Sequence, residues 1–186
     1  MEVIRKIYYI LFDLIQTLVI AGAIFVVIYA FLFRPYQVTG HSMDPTFADG
    51  EYVLTNLISL RLGSLSRGDI VVFVAPPDKE KDYIKRIIGI PGDRVSVNGG
   101  SVYLNGEKLD QGAFLPSDVR TNGGNYLGEG NEVVVPQDQY FVMGDNREFS
   151  SDSREWGFVT KNAVIGKSFL VYWPINHIRI VKHTSF

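Results

Sequence analysis

The sequence contains no cysteine among its 186 residues. Disulfide bonds, thiolate metal sites and a cysteine nucleophile are therefore excluded. An excess of charge of one sign is also missing, since 18 lysine and arginine residues against 20 aspartate and glutamate residues leave a net charge of −2. No basic run or basic tail occurs, which argues against a nucleic-acid partner. The chain does have a long apolar run near its N-terminus.

Residues 14–33 (LIQTLVIAGAIFVVIYAFLF) carry no charge. A helix of about 20 apolar residues crosses a ~30 Å hydrocarbon core, so this run predicts a transmembrane helix after a cytoplasmic or interfacial segment at residues 1–13. A cleavable signal peptide fits less well because its apolar region is only ~7–15 residues long. A soluble helix would need apolar cover on all sides. Arg5 and Lys6 before the run and Arg34 after it weakly favour a cytoplasmic N-terminus.

Beyond the run, apolar and polar residues alternate in short segments separated by glycine and proline. Segments 69–74 (DIVVFV), 83–90 (YIKRIIGI), 132–135, 140–143 and 164–173 are predicted strands. Residues 94–104 predict a hairpin that turns at Asn98-Gly99-Gly100. Residues 34–186 are therefore predicted to form one all-β domain with a sandwich-like or barrel-like fold. Residues 110–131, rich in glycine and asparagine, are predicted to be a surface excursion between strands.

Ser42 is the first residue that could carry chemistry. It lies in the segment GHSMDPT at residues 40–46, shortly after the apolar run. A serine among turn-forming residues is usually structural. Here Gly40 permits unusual backbone angles and Pro45 stiffens the segment. The position beside a membrane makes Ser42 a candidate nucleophile, and its own backbone N–H could stabilise an oxyanion.

A serine nucleophile needs a general base, and a histidine is one candidate. His41 adjoins Ser42, but adjacent side chains of an extended backbone leave on opposite faces. His177 and His183 lie near the C-terminus. A Ser-His-Asp arrangement stays open, although no spacing in the sequence supports it.

Lys85 is the stronger candidate for the base. It lies in an apolar predicted strand, where either Lys85 or its neighbour Arg86 must face an apolar layer. Burial disfavours the ammonium form, lowers the lysine pKa and yields a neutral amine that can accept a serine proton. The structural alternative is an exposed lysine on an edge strand.

A third segment, residues 143–158 (MGDNREFSSDSREWGF), contains several acids, arginines and serines after a predicted strand. Asp145, Arg147, Asp152 and Arg154 can form Arg–carboxylate pairs that shape a buried loop. A serine from such a loop could orient the lysine amine. A solvated loop is the alternative.

These segments together resemble the bacterial type I signal peptidases, membrane-anchored serine proteases that remove signal peptides from exported preproteins. The matching segments are SMDPT at 42–46, RGDIVVF at 67–73, YIKRIIGIPGD at 83–93 and GDNREFSSDSR at 144–154, in this order behind an N-terminal anchor. The short chain and single span are similar to the Gram-positive-type enzymes. In those enzymes a glycine stands at the position of Gly40, which implies an oxyanion hole of backbone N–H groups alone, including that of Ser42.

The resemblance implies a role for each matching residue. Ser42 would be the nucleophile and Lys85 the general base, with no metal or cofactor. Ser150 would hydrogen-bond the lysine, Asp152 and Arg154 would pair nearby, and Asp145 would support the loop. The substrate would bind as an extended strand, with small side chains entering shallow apolar pockets. The candidate pocket residues are Tyr36, Val38, Gly40, Met43, Phe47, Tyr83 and Ile84.

The resemblance also implies a location and partners. The chain would be a single-pass protein of the bacterial cytoplasmic membrane, with its catalytic domain on the extracytoplasmic side. Its partners would be the signal peptides of preproteins, the lipid bilayer and, by proximity, the secretion translocon. A membrane-tethered β-domain that binds peptides without cutting them is the alternative of another class. Self-cleaving repressors share serine–lysine chemistry but carry a DNA-binding domain in place of an anchor.

Overall fold

The structure is a computed structural model that describes residues 2–58, 63–184 and 186. Two compact units are distinguished, Met1–Arg34 and Pro35–Phe186. The first contains one α-helix, Glu2–Leu32, which at 1.5 Å per residue is roughly 46 Å long. Its candidate membrane span, Glu2–Val27, has a mean hydropathy of 2.4.

The helix begins twelve residues earlier than the apolar run from which it was predicted. Residues 2–13 are mostly apolar, and Arg5, Lys6 and Asp13 are isolated charges that do not break a helix. The helix ends one residue before the run does, because Phe33 already belongs to a strand. A helix this long leaves its charged first turns room to lie in the headgroup region of a bilayer.

The second unit is built from short strands. Those in the described residues are β1 Phe33–Gln37, β2 Tyr52–Asn56, β3 Ile70–Ala75, β4 Asp78–Gly89, β5 Arg94–Asn98, β6 Ser101–Leu104, β7 Glu107–Lys108, β8 Glu132–Val134, β9 Gln139–Met143, β10 Val159–Thr160, β11 Val164–Trp173 and β12 Arg179–Ile180. A one-turn α-helix, Ser153–Trp156, and 3₁₀ turns at Lys161–Ala163 and Ile175–His177 complete it.

The strands form two sheets. The larger sheet has the order β1-β2-β11-β3-β4-β9-β10, with β12 paired to β11, and the smaller has the order β7-β6-β5-β8. The predicted hairpin is β5–β6, with Asn98 opposite Ser101. The all-β prediction is therefore confirmed, as mostly antiparallel sheet with one apolar N-terminal helix.

Side-chain alternation gives the larger sheet two apolar faces. On β9, Phe141 and Met143 belong to a core cluster shared with the smaller sheet, whereas Tyr140 and Val142 belong to a different cluster. Strand β4 lies between β3 and β9. Because one core cluster covers each face of this part of the sheet, the β4 side chains near the β9 pairing are buried on both faces.

Residues 110–131 contain no helix or strand within the described chain. Most of these residues are exposed or half-buried, as in a surface excursion, but a few anchor the segment to the domain. Leu115, Thr121 and Leu127 are buried, and Leu127 packs into the cluster between the two sheets. Scattered apolar residues in a polar segment thus act as anchors, a feature that composition alone does not reveal.

Candidate active site

Ser42 lies in a tight turn held on both sides. The amide of Asp44 donates to the carbonyl of His41 at 3.2 Å, and the amide of Phe47 donates to that of Met43 at 3.0 Å. Met43 and Phe47 are fully buried in a core cluster. These apolar anchors fix the turn from below, so that Ser42 is held at the surface of the domain.

Lys85 meets Ser42 from the neighbouring strand β4. Its Nζ lies 2.7 Å from the Oγ of Ser42 and 3.0 Å from the carbonyl oxygen of Ile84. The side chain is nearly inaccessible, since the residue is 4% exposed. Burial lowers the pKa of Lys85 to about 8, against the opposing influence of the Asp152 and Asp145 carboxylates. A hydroxyl and a partly deprotonated amine are therefore in direct contact.

Arg86, the next residue, is buried on the other side of the strand with a full set of partners. Its Nε and Nη2 donate to the two carboxylate oxygens of Asp145 at 2.8 and 2.7 Å, and its Nη1 donates to the carbonyl of Gly68 at 3.0 Å. The hydroxyl of Thr46 donates to the same carboxylate. This bidentate ion pair fixes the loop after β9 against β4.

The loop after β9 is held by a second ion pair. Arg154 Nε and Nη2 donate to the carboxylate of Asp152 at 2.9 and 2.8 Å, the pair that the resemblance implies. Asp152 also accepts from the amide of Gly144 at 3.0 Å. The amide of Asn146 donates to the carbonyl of Ser42 at 3.1 Å, which joins this loop directly to the turn that contains Ser42.

Arg147 lies inside this loop and does not pair with Asp145. Its Nε donates to the carbonyl of Gly144 and its Nη1 to the hydroxyl of Thr121, both at 3.0 Å. Burial lowers the pKa of Arg147 to about 10, so the guanidinium stays charged at neutral pH. The residue thereby joins the 110–131 segment to the loop.

Ser150 does not make the hydrogen bond to Lys85 that the resemblance implies. The lysine donates to Ser42 and Ile84, whereas the Ser150 hydroxyl is buried without a partner among the described residues. The hydroxyl packs against Gly144 instead, where an added Cβ would lie 2.1 Å from it and 2.4 Å from the Ser42 carbonyl. Glycine at position 144 is therefore required for the close approach of this loop to the turn that contains Ser42.

The three histidines have partners other than Ser42. His41 contacts Asp44 at 3.0 Å and is exposed. His177 contacts Glu51, and His183 accepts from the amide of Ile70. Burial lowers the pKa of His183 to about 4. No imidazole in the described chain hydrogen-bonds Ser42, and this leaves Lys85 as the basic group in contact with it.

A cleft of about 500 Å³ opens beside Ser42 and Lys85. Four of the predicted pocket residues line it: Tyr36, Val38, Tyr83 and Ile84. Three do not. Met43 and Phe47 are in the core, and Gly40 lies outside the lining. The remaining lining residues are Gln37, Thr39, Val53, Val72, Lys81, Asp82 and Ser151.

The burial of Met43 and Phe47 has a simple physical reason. Large apolar side chains four residues apart in a turn lie on the same side and pack inward together. No pattern in the sequence pointed to Thr46 as a neighbour of the site. For Arg86 the signal was present, since one of two consecutive cations had to be buried, and in fact both are. Among the described residues, no group of three or more His, Asp or Glu side chains could hold a metal ion.

Comparison with known proteins identifies the family of this chain. The family model described as "Signal peptidase, peptidase S26" matches residues 11–173. Signal peptidase IB of Staphylococcus aureus is 36% identical over 180 residues, 91% of this chain and 93% of its own. Signal peptidase I of Bacillus licheniformis is 40% identical over 172 residues, 91% of this chain and 92% of its own.

Among solved structures, a signal peptidase I from Enterococcus faecalis V583 is similar, with 28% sequence identity and a TM-score of 0.44 over 56% of this chain and 96% of its own. The assignment comes from the sequence matches, which span most of the chain in both directions. The chain belongs to the signal peptidase family, peptidase S26.

Proposed function

We propose that this protein is a membrane-anchored serine endopeptidase that removes signal peptides from preproteins, with Ser42 as nucleophile and Lys85 as general base. The observation that carries the proposal is the 2.7 Å contact between the Lys85 Nζ and the Ser42 Oγ, with the lysine buried. Family membership supports the peptidase activity and the signal-peptide substrate.

The lowered pKa of Lys85 is what makes the amine useful. With a pKa of about 8, roughly a tenth of the amines are neutral at pH 7, against about one in 2,500 for an unperturbed lysine. The supply of free base thus rises on the order of 10²-fold. Asp145 and Asp152 work against this effect, but Asp145 is paired with Arg86 and Asp152 with Arg154. Burial therefore dominates.

The proposed reaction has two stages. The Ser42 Oγ attacks the scissile carbonyl carbon while its proton passes to the Lys85 Nζ, and the C–N bond then breaks as the lysine returns that proton to the leaving amine. A water molecule, deprotonated by the same amine, attacks the carbonyl carbon of the acyl-enzyme ester. The bond from that carbon to the Ser42 Oγ breaks, the lysine returns the proton to the Oγ, and the signal peptide is released. In the described chain the Ser42 amide has no acceptor, so it can stabilise the oxyanion.

The cleft suggests how a peptide would bind. Two continuous segments, residues 36–39 and residues 81–85, contribute most of its lining. Strand β4 pairs with β3 between Asp78 and Arg86, but its pairing with β9 begins only at Arg86. The free edge before Arg86 can accept an extended peptide as an added strand. The apolar contacts of Val38 and Ile84 favour small aliphatic side chains, consistent with cleavage after small-x-small sequences.

The N-terminal helix supports anchoring. Its apolar span is long enough to cross a bilayer. We assign residues 14–33 to the membrane, residues 1–13 to the cytoplasmic side and residues 34–186 to the extracytoplasmic catalytic domain of a single-pass protein of the bacterial cytoplasmic membrane. Anchoring confines enzyme and substrate to one surface and raises their effective concentration, near the translocon that delivers the substrate.

Mass analysis of a preprotein incubated in detergent with wild-type protein, Ser42→Ala and Lys85→Ala tests the proposal. Wild type should cut after a small-x-small sequence, and both variants should leave the preprotein intact. Cleavage by Lys85→Ala at the wild-type rate would remove the lysine from the mechanism. A folded wild type that binds the signal peptide without cutting it would instead indicate a peptide-binding domain.

A further inference from the structure

Residues 40–46, the turn that contains the proposed nucleophile Ser42, contact a distant part of the chain. The proposed mechanism does not use this contact. The Nη2 of Arg179 donates to the carbonyl oxygen of Thr46 at 2.7 Å. Arg179 lies 133 residues later in the sequence. It begins β12, whose pairing with β11 places Arg179 opposite Val171. The arginine is thus delivered to the turn by the larger sheet.

The orientation of this guanidinium is fixed by a second partner. Its Nη1 and Nη2 donate to the two carboxylate oxygens of Glu51 at 2.7 and 2.6 Å. Burial raises the pKa of the Glu51 carboxyl, but hydrogen bonds from Arg179, His177 and the Ala48 amide outweigh it, and the pKa lies below its ordinary value. Glu51 is therefore charged at neutral pH and holds the planar fork so that one N–H points at Thr46.

Thr46 is held from its other side as well. Its hydroxyl donates to Asp145, the partner of the buried Arg86. One residue, four positions after Ser42, thus lies between two arginine–carboxylate pairs. The Arg86 pair holds its side chain, and the Arg179 pair holds its backbone.

The rest of the turn is held by single hydrogen bonds and by apolar packing. The amide of Gly40 donates to Asp49 at 2.7 Å in an exposed contact. The Ser42 carbonyl accepts from the Asn146 amide at 3.1 Å, and Met43 is fully buried. Thr46 is in contact with two arginine–carboxylate pairs, through its side chain and through its backbone, and these contacts help to fix where the Ser42 hydroxyl lies.

We propose that Arg179 is a positioning residue for the reaction. Its guanidinium, oriented by Glu51, binds the Thr46 carbonyl and thereby keeps the Ser42 Oγ within hydrogen-bonding distance of Lys85. The inference rests on the proposed roles of Ser42 and Lys85. A shift of about 1 Å between reacting groups can lower a rate on the order of 10²-fold. A single backbone hydrogen bond from a charged donor is strong enough to control such a shift.

The chain offers variants that separate this role from a general structural one. Arg179→Gln removes the charge and the fork, and Arg179→Lys keeps the charge but cannot reach both partners in the same plane. His177→Gln removes another contact of Glu51 and leaves the Thr46 carbonyl untouched. Arg94→Gln breaks an exposed pair with Glu132 on the smaller sheet and serves as the control for loss of an arginine.

The experiment measures kcat and KM separately for the full-length protein in detergent, with a signal-peptide substrate, together with the thermal unfolding midpoint. We expect Arg179→Gln to lower kcat about 10- to 100-fold with KM within about twofold. Arg179→Lys should recover part of that loss, His177→Gln should lose less than Arg179→Gln, and Arg94→Gln should match wild type. The acidic limb of the pH profile should not move, because the base is unchanged.

A kcat within twofold of wild type in folded Arg179→Gln would overturn the inference, and so would a loss confined to KM. If Arg179→Gln does not fold, Arg179→Lys decides, since a wild-type kcat there shows that the fork is not needed. Ser42→Ala and Lys85→Ala are measured in parallel. If both are inactive while the Arg179 variants are unaffected, only the positioning role fails. If Lys85→Ala is active, the proposed mechanism itself fails.

Discussion

Lys85 and Arg86 are consecutive residues of β4, and both are buried cations, at 4% and 1% exposure. They differ in their partners. Arg86 has a bidentate carboxylate, whereas Lys85 has a hydroxyl and a carbonyl and no ion pair. A buried cation with a carboxylate partner keeps its charge, and one without a partner sheds its proton more easily. In the proposed mechanism, the Arg86 face of the strand holds the site together and the Lys85 face supplies the base.

The largest effect should follow from removing the unpaired cation. Lys85→Met should lower kcat/KM about 10³-fold or more, because positioned proton transfer contributes about 10² to 10⁴. Lys79→Met, on the same strand but exposed, is the matched control and should keep wild-type activity. Steady-state cleavage of a signal-peptide substrate measures both. Equal activity of the two variants would contradict the role of Lys85.

Removing the paired cation should act on stability. Arg86→Met leaves the buried Asp145 carboxylate without its partner, and breaking a buried pair in this way costs about 3–5 kcal/mol. Arg94→Met, from an exposed pair, should cost less than about 1 kcal/mol. Chemical unfolding in detergent, followed by tryptophan fluorescence, gives both values.

A double variant sharpens this prediction. Replacing a buried pair by apolar side chains of similar volume is often neutral, so Arg86→Met with Asp145→Leu should recover much of the lost stability. It should not recover full activity, because Thr46 loses the acceptor of its hydroxyl. A double variant as unstable as Arg86→Met alone would show that the ion pair is not the source of the effect.

The sequence predicts the contrast between Lys85 and Arg86 only in part, because some of the contacts that create it join residues far apart along the chain. The resemblance identified Ser42 and Lys85 because each lies in a matching segment. Alternation predicted that one of the two cations is buried, but it could not show that β4 is covered on both faces. That fact depends on the register of β4 with β9 and on the second sheet.

The partners of Arg86 and Arg179 are harder still to predict from the sequence. The Arg86 and Asp145 residues are 59 positions apart, and Thr46 and Arg179 are 133 apart. Their pairing follows from strand order, which local periodicity does not encode. Ser150 shows the opposite limit. A matching segment implied its hydrogen bond to the lysine, yet the hydroxyl packs against Gly144.

The pH profile tests which group near Ser42 acts as the base. With the pKa of Lys85 at about 8, kcat/KM should rise about tenfold per pH unit below that value and level off above it, since this ratio reports the free enzyme. An inflection near 6.5 would indicate a histidine. Measurements from pH 5.5 to 10 on a substrate without ionisable groups near the cleavage site distinguish the two.

The smallest expected effect is on the stability of the variant that has lost its activity. The pKa of Lys85 falls from 10.5 unfolded to about 8 folded, so at pH 7, where both states are protonated, burial of the charge costs about 3 kcal/mol at 1.36 kcal/mol per unit. Lys85→Met removes that cost but also loses two hydrogen bonds worth about 1 kcal/mol each. The net gain in the free energy of unfolding should be about 1–2 kcal/mol at pH 7.

The sign of this gain should depend on pH in a defined way. Between pH 8 and 10.5 the unfolded wild-type chain binds more protons than the folded one, so wild-type stability rises with pH. The advantage of Lys85→Met should therefore be full below pH 8 and should reverse to a deficit of about 1 kcal/mol by pH 10, where the two lost hydrogen bonds outweigh the remaining cost of burying the charge. Unfolding of both proteins in the same detergent at pH 7 and pH 10 measures it. An equal gain at the two pH values would mean that burial does not disfavour the charged form of Lys85 in the folded protein.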